Sequence, residues 1–287
     1  MKRSLARLST LCLSSLLTTF AGCSDDTPTE PDAAPAEAED RAPSTTRRRG
    51  ERPQQGSRST PEGEAPEEAL AIDPASLGRI EGKVLFRGEP PKRRLLALGT
   101  EAACTGHDDP PRTEDVVVQD GGLRDVFVYV RRGQDRWQIP APSTDPVVLS
   151  QEGCLYVPHA VAVQTGQTLL VRNGDDTTHN VNMKARRNGV NGNYTQGRKQ
   201  ADLSFTFDRR EHAIPFKCDI HPWMSARLYV QDHPWFSLTD ASGGFAIADV
   251  PAGDYQLEAV HPELGELRAE ITVTAGATAT AAFSFNE

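Results

Sequence analysis

From residue 78 to the end, apolar residues come in short alternating runs, each stopped by glycine, proline or an Asp-containing turn. No segment keeps a 3.6-residue apolar period long enough for a buried helix. That pattern restricts the chain to strands and turns. Ile80, Gly82, Val84 and Phe86 alternate with polar residues before Gly88-Glu89-Pro90-Pro91 ends the run. Val116-Val117-Val118 precedes the turn Asp120-Gly121-Gly122, and Val126, Val128 and Val130 form another strand. Val161-Ala162-Val163, Thr165-Gly166 and Leu169-Leu170-Val171 read as a hairpin. Phe205 with Phe207, Leu228 with Val230, Phe245 with Ile247, Tyr255 with Leu257 and Ile271 with Val273 continue the series. Runs at a spacing of roughly 8–12 residues indicate sandwiches or barrels. The expected fold class is all-β.

The first 77 residues obey different rules. Lys2, Arg3 and Arg7 precede an apolar stretch from Leu8 to Phe20, too short to span a bilayer stably. Phe20-Ala21-Gly22-Cys23 then resembles a bacterial lipobox, with Phe20 in place of the more usual Leu. The resemblance implies a signal peptide over 1–23, cleavage before Cys23, and acyl chains on that cysteine; the plainer alternative is a signal peptide with an incidental cysteine. Several chains on one residue anchor stably. Residues 24–77 hold eight prolines, thirteen Asp or Glu and six Arg. Such a segment buries too little apolar surface to offset its ordering entropy, and it reads as a disordered tether. The expected location is the cell envelope, lipid-anchored and facing the periplasm or the cell surface. The formal charge of −9 argues against nucleic acid as a partner, because phosphate binding requires a basic face.

The chemistry concentrates in Cys218-Asp219-Ile220-His221-Pro222-Trp223-Met224. A thiolate, an imidazole and a thioether share one short loop with C-x2-H-x2-M spacing. Upstream, Asp176-Thr177-Thr178-His179-Asn180-Val181 offers a second imidazole. Two His and one Cys with a weak axial Met suit a mononuclear copper ion cycling between Cu(I) and Cu(II). A structural zinc site is the competing reading for Cys-x2-His. Zinc gains nothing from Met224, and no second Cys-x2-Cys or His-x3-His pair completes a finger.

The stretch from about Gln151 to Val230 resembles a cupredoxin of the plastocyanin and amicyanin type. His179-Asn180-Val181, Phe216 two places before the cysteine, and the two-residue gap between His221 and Met224 carry the likeness. It implies a Greek-key sandwich with His179, Cys218, His221 and Met224 as ligands. It also implies that the Asn180 side chain bonds backbone beside the cysteine and stiffens the loop. His179 is then expected to be buried on a strand and His221 to lie at the rim, its outer edge near solvent. Trp223 beside it would form an apolar docking patch or pack into the core. After about His233, the sequences Asp240-Ala241-Ser242-Gly243-Gly244-Phe245, Val250-Pro251-Ala252-Gly253-Asp254-Tyr255 and His261-Pro262-Glu263-Leu264-Gly265 resemble the carboxypeptidase regulatory-like domain, a small transthyretin-like sandwich. The strand from Ile80 to Phe86 looks like the opening of such a domain. The expected organisation is therefore a β segment over 78–150, a copper domain over 151–232, inserted in or packed against the rest, and an accessory sandwich over 233–287 without catalytic residues.

Cys12 leaves with the signal. With Cys23 acylated and Cys218 on copper, Cys104 and Cys154 are free to form a disulfide in an oxidising compartment. The alternative is a second metal site, since Cys104-Thr105-Gly106-His107 is itself Cys-x2-His and Cys154 lies near His159. No Gly-x-Ser-x-Gly, phosphate-cradling loop or His-Glu-x-x-His is present, so the chain reads as a non-enzyme. The leading expectation is an electron carrier serving a redox protein such as a c-type cytochrome or an oxidoreductase. Copper storage or delivery, and carbohydrate or surface binding through the C-terminal sandwich, are the other classes.

Overall fold

The computed structural model describes residues 68–287. The signal, Cys23 and most of the tether lie outside the described residues. The chain is all-β: among the described residues there are eighteen strands, one 3₁₀ turn and one four-residue helix. The last ten residues of the expected tether, 68–77, belong to the fold. Leu70 bridges to Trp137, Ile72 packs on a hydrophobic core, and Pro74–Ser76 forms the 3₁₀ turn. Two apolar side chains and a cap by Asp73 on Ala75 N–H suffice to order this stretch.

The first strands are β1 (Leu77–Arg87), β2 (Val118–Gln119), β3 (Gly122–Leu123) and β4 (Phe127–Arg132). Next come β5 (Val147–Glu152), β6 (Leu155–Val157), β7 (Ala160–Gln164), β8 (Thr168–Asn173) and β9 (His179–Lys184). They are followed by β10 (Asn191–Gln196), β11 (Leu203–Thr206), β12 (Glu211–Lys217) and β13 (Ser225–Gln231). The chain closes with β14 (Phe236–Leu238), β15 (Gly244–Pro251), β16 (Gly253–His261), β17 (Gly265–Val273) and β18 (Thr278–Asn286).

These strands build two sandwiches. In the first, β1 pairs antiparallel with β15 and parallel with β18, and β3 and β2 extend the sheet; the facing sheet runs β14-β4-β16-β17. In the second, sheet β10-β9-β12-β13-β7 faces sheet β11-β8-β5-β6. Strands β5–β13 are one continuous insertion, since β4 and β14 pair directly on either side of it. Residues 78–132 and 236–286 therefore share sheets, and the expected cut at 150/151 falls inside β5. Gly82 lies where β18 and Phe245 close on β1: a Cβ there would come within 2.0 Å of the Ala281 carbonyl oxygen.

Each sandwich has its own core. Ile80, Val84, Val128, Val130, Trp235, Tyr255 and Leu257 anchor the first. Leu149, Val163, Leu169, Phe207, Phe216 and Leu228 anchor the second. Strand β4 is buried on both faces, because Val128 and Val130 point into the first core while Phe127 and Tyr129 meet Ala160 and Tyr229 of the second sandwich. This explains its unbroken apolar run, Val126 to Val130, where a half-buried strand would alternate.

Candidate metal centre

The site lies at one end of the five-stranded sheet of the second sandwich. His179 opens β9, and Cys218 follows β12, the neighbouring strand. The loop from Cys218 to Met224 is closed by its own backbone: Cys218 N–H donates to the Met224 carbonyl at 3.3 Å, and Met224 N–H to the His221 carbonyl at 2.9 Å. Three ligand atoms from His179, Cys218 and His221 all lie within 4.8 Å of one another. The two Nδ1 atoms are 2.9 Å apart, and Cys218 Sγ is 3.8 Å from His221 Nδ1. His179, Cys218, His221 and Met224 are all buried.

The surroundings favour a thiolate facing imidazoles. Burial opposes charge on Cys218, but the His179 ring and backbone N–H groups, that of His221 among them, bring the thiol down to about 7. Burial likewise opposes charge on His179, and the Asp175 carboxylate and Cys218 hold it up at about 9. Buried sulfur and imidazole converging without a nearer carboxylate form a donor set that fits a soft or borderline ion such as copper. His179, His221 and Cys218 would hold it, and Met224 lies on the same loop as Cys218 and His221.

Asn180 braces the cysteine turn. Its Oδ1 accepts from Asp219 N–H at 2.7 Å and from Ile220 N–H at 3.2 Å, and lies 3.3 Å from Cys218 Sγ. Asn182 and Asn193 hold the Asp219 carboxylate from β9 and β10. Tyr156 donates its hydroxyl to the Asn180 carbonyl at 2.9 Å from the facing sheet.

Two carboxylates that sequence reasoning missed complete the site. Asp175 Oδ2 is 2.8 Å from His179 Nε2, and the same side chain accepts from the N–H groups of Gly153 and Cys154. Its position four residues before His179 was a usable signal. Glu101 Oε2 is 2.9 Å from His221 Nε2 and 3.2 Å from Thr177 Oγ1. Nothing local marks Glu101, which lies 120 residues from His221. Each imidazole thus gives its outer N–H to a carboxylate, which leaves Nδ1 free to face inward.

The expected open edge of His221 is absent. The residue is 3% exposed, since Glu101 covers Nε2 and the Trp223 ring lies 5.2 Å from the imidazole. Trp223 is half-buried and donates Nε1–H to the Cys154 carbonyl at 3.0 Å, so it packs rather than standing free as a docking patch. The exposed apolar residues on the loop are Ile220 and Pro222. Cys104 and Cys154 are bonded to each other at 2.02 Å, which ties α1 (Ala102–Thr105) to the turn between β5 and β6. Cys218 is the free cysteine among the described residues. His107 is spent on the Gly153 carbonyl at 2.7 Å.

No protein-family model matches the chain, and no curated protein matches it. Solved copper proteins resemble part of it. A Cu-containing nitrite reductase from Thermus scotoductus SA-01 is 18% identical over 32% of this chain and 25% of that one, with a TM-score of 0.28. Amicyanin from Paracoccus versutus is 20% identical over 36% of this chain and 97% of that one, with a TM-score of 0.27. A reduced Cu(I) amicyanin variant at pH 4 is 24% identical over 33% and 97%, with a TM-score of 0.26. The chain thus spans a quarter of the nitrite reductase.

Proposed function

We propose that this chain binds one copper ion through His179, Cys218, His221 and Met224 and carries single electrons at the cell envelope. The observation that carries the reading is the convergence of two imidazole Nδ1 atoms and the Cys218 sulfur in a buried cluster closed by a hydrogen-bonded loop. Copper bound there would supply a one-electron couple. The chain's own contribution is rigidity: Asn180 clamps the cysteine turn, Asp175 and Glu101 fix the rings, and the disulfide fixes the segment that brings Glu101. Ligands held this firmly move little between oxidation states, which favours transfer of electrons over release of the ion. Burial of all four ligands argues in the same direction against copper delivery. The order of charge, apolar run and small residues before Cys23 supports attachment to a membrane by acyl chains. The partner is a redox protein able to meet the loop at Ile220 and Pro222, the c-type cytochromes among its candidates. The motifs after Asp240 support an accessory regulatory-like role for the first sandwich.

The test is the visible spectrum. The copper-loaded protein is expected to be intensely coloured, and Cys218→Ser to lose the colour, because the charge-transfer band requires the thiolate. A colourless protein isolated with zinc would sink the proposal.

A further inference from the structure

The carboxylate on His221 comes from outside the metal sandwich. Glu101 belongs to the connection between β1 and β2 and stands at the N-cap position of α1, yet it makes no side-chain cap. Its carboxylate turns instead to the His221 ring. Helix α1 is covalently tied to the metal sandwich by Cys104–Cys154, and His107 adds a second attachment at Gly153. Gly153 has a φ of +60°, and a Cβ there would come within 2.5 Å of the His107 ring, so the turn is shaped to receive that segment. A Glu101 carboxylate oxygen, the sulfurs of Cys104 and Cys154, and a His221 ring nitrogen all lie within 4.8 Å of one another. A chance surface contact would not require two separate fastenings.

Resting on the copper reading above, we infer that Glu101 is a positioning residue for His221: it fixes the ring with Nε2–H outward and Nδ1 toward the metal, and its negative charge lowers the reduction potential. The physical route is direct. A carboxylate accepting Nε2–H makes the imidazole a stronger donor, and a stronger donor stabilises Cu(II) over Cu(I). The same contact makes Glu101 the outermost group of the chain Cys218, His221, Glu101. Its side chain is 54% exposed, whereas His221 is sealed.

The test uses the full chain as wild type, Glu101→Gln and Glu101→Ala. With Glu101 half exposed, neither change removes core packing. Gln keeps an acceptor for the ring and loses the charge; Ala loses both. Redox titration of the copper-loaded proteins is expected to give a higher potential for both variants. Copper affinity is expected to fall by roughly 10–100-fold for Ala and less for Gln. In the metal-free proteins, the His221 Nε2–H proton, followed by NMR, is expected to be protected from exchange in wild type and Gln and to exchange freely in Ala. An unchanged potential and equal proton protection in all three would overturn the inference. If wild type gains no Cys218-dependent band with copper, the copper reading fails, and the proton measurement still decides whether Glu101 fixes the ring.

Discussion

Asn180 decides the shape of the cysteine turn, because one side-chain oxygen accepts two consecutive backbone N–H groups beside the thiolate. In Asn180→Ala those donors lose their partner, which costs about 1–3 kcal/mol. Urea unfolding of the metal-free variant is expected to show that loss, and its copper spectrum to broaden as the loop loosens. An unchanged midpoint and spectrum would assign the clamp to the loop's own backbone bonds. Histidines away from the site make a different prediction. Burial pushes His233 down to about 4 and His261 down to about 4. His233 is held neutral, its Nε2 at 2.8 Å from the Val130 carbonyl and its Nδ1 accepting from Trp235 N–H at 3.2 Å. Between pH 6.5 and pH 4 the unfolded chain takes up protons that these folded imidazoles refuse. The contribution of these two histidines to stability is therefore full above about pH 6.5 and falls as pH drops through that window, by up to about 3 kcal/mol per histidine. Unfolding midpoints from pH 7.5 to 4 should fall accordingly, and His261→Gln should flatten the slope. A steeper slope in that variant would contradict the assignment.

At the scale of elements, the ligand loop and the segment through α1 act as one unit joined by Trp223. Its indole donates to the Cys154 carbonyl while its ring sits beside His221. Trp223→Ala is expected to destabilise the protein by about 2–3 kcal/mol, below the range for a fully buried aromatic because the ring is half-buried. It should also shift the copper spectrum; a shift in partner exchange rate alone, with stability intact, would restore Trp223 as a docking residue. The sequence pattern made some elements readable and hid others, for definite reasons. Strands β1 and β8 bury one set of alternate residues more deeply than the other, so their alternation is local. Strand β18 alternates too, with Ala279, Ala281, Phe283 and Phe285 facing inward, but its small residues weaken the signal. Strands β9 and β12 carry His179, Asn180, Asn182 and Pro215, polar or turn-forming residues that interrupt the apolar alternation. His179, Cys218 and His221, which the structure brings together, were marked in sequence because two of them share one loop at fixed spacing. Glu101 was not, because contact at a separation of 120 residues leaves no local periodicity.

At the scale of the whole molecule, the question is whether two sandwiches built by insertion behave as one. Their join is aromatic. Phe127 of β4 stacks on Tyr229 of β13 at 4.6 Å between ring centroids, and lies 4.9 Å from the His212 ring and 5.4 Å from Tyr129. Tyr129 in turn gives its hydroxyl to Glu258, a buried carboxylate that Arg131 and Arg268 neutralise from the first sandwich. The insertion leaves and rejoins between β4 and β14, so the strand that supports this join is also the one from which the metal sandwich departs. Coupling across such a seam rests on buried contacts, since the two halves share no sheet. Phe127→Ala should remove about 3–5 kcal/mol, as expected for a fully buried aromatic, and most of that loss should fall on the seam. On the proposed reading, copper would bind the folded second sandwich and raise only the stability of whatever unfolds with it. In the native chain, calorimetry is therefore expected to show one transition that copper shifts as a whole. In Phe127→Ala it should split in two, with copper moving the transition of residues 147–231 and leaving the other in place. A single transition in the variant, still moving as a whole with copper, would mean that the covalent connections and remaining contacts couple the halves without the aromatic stack.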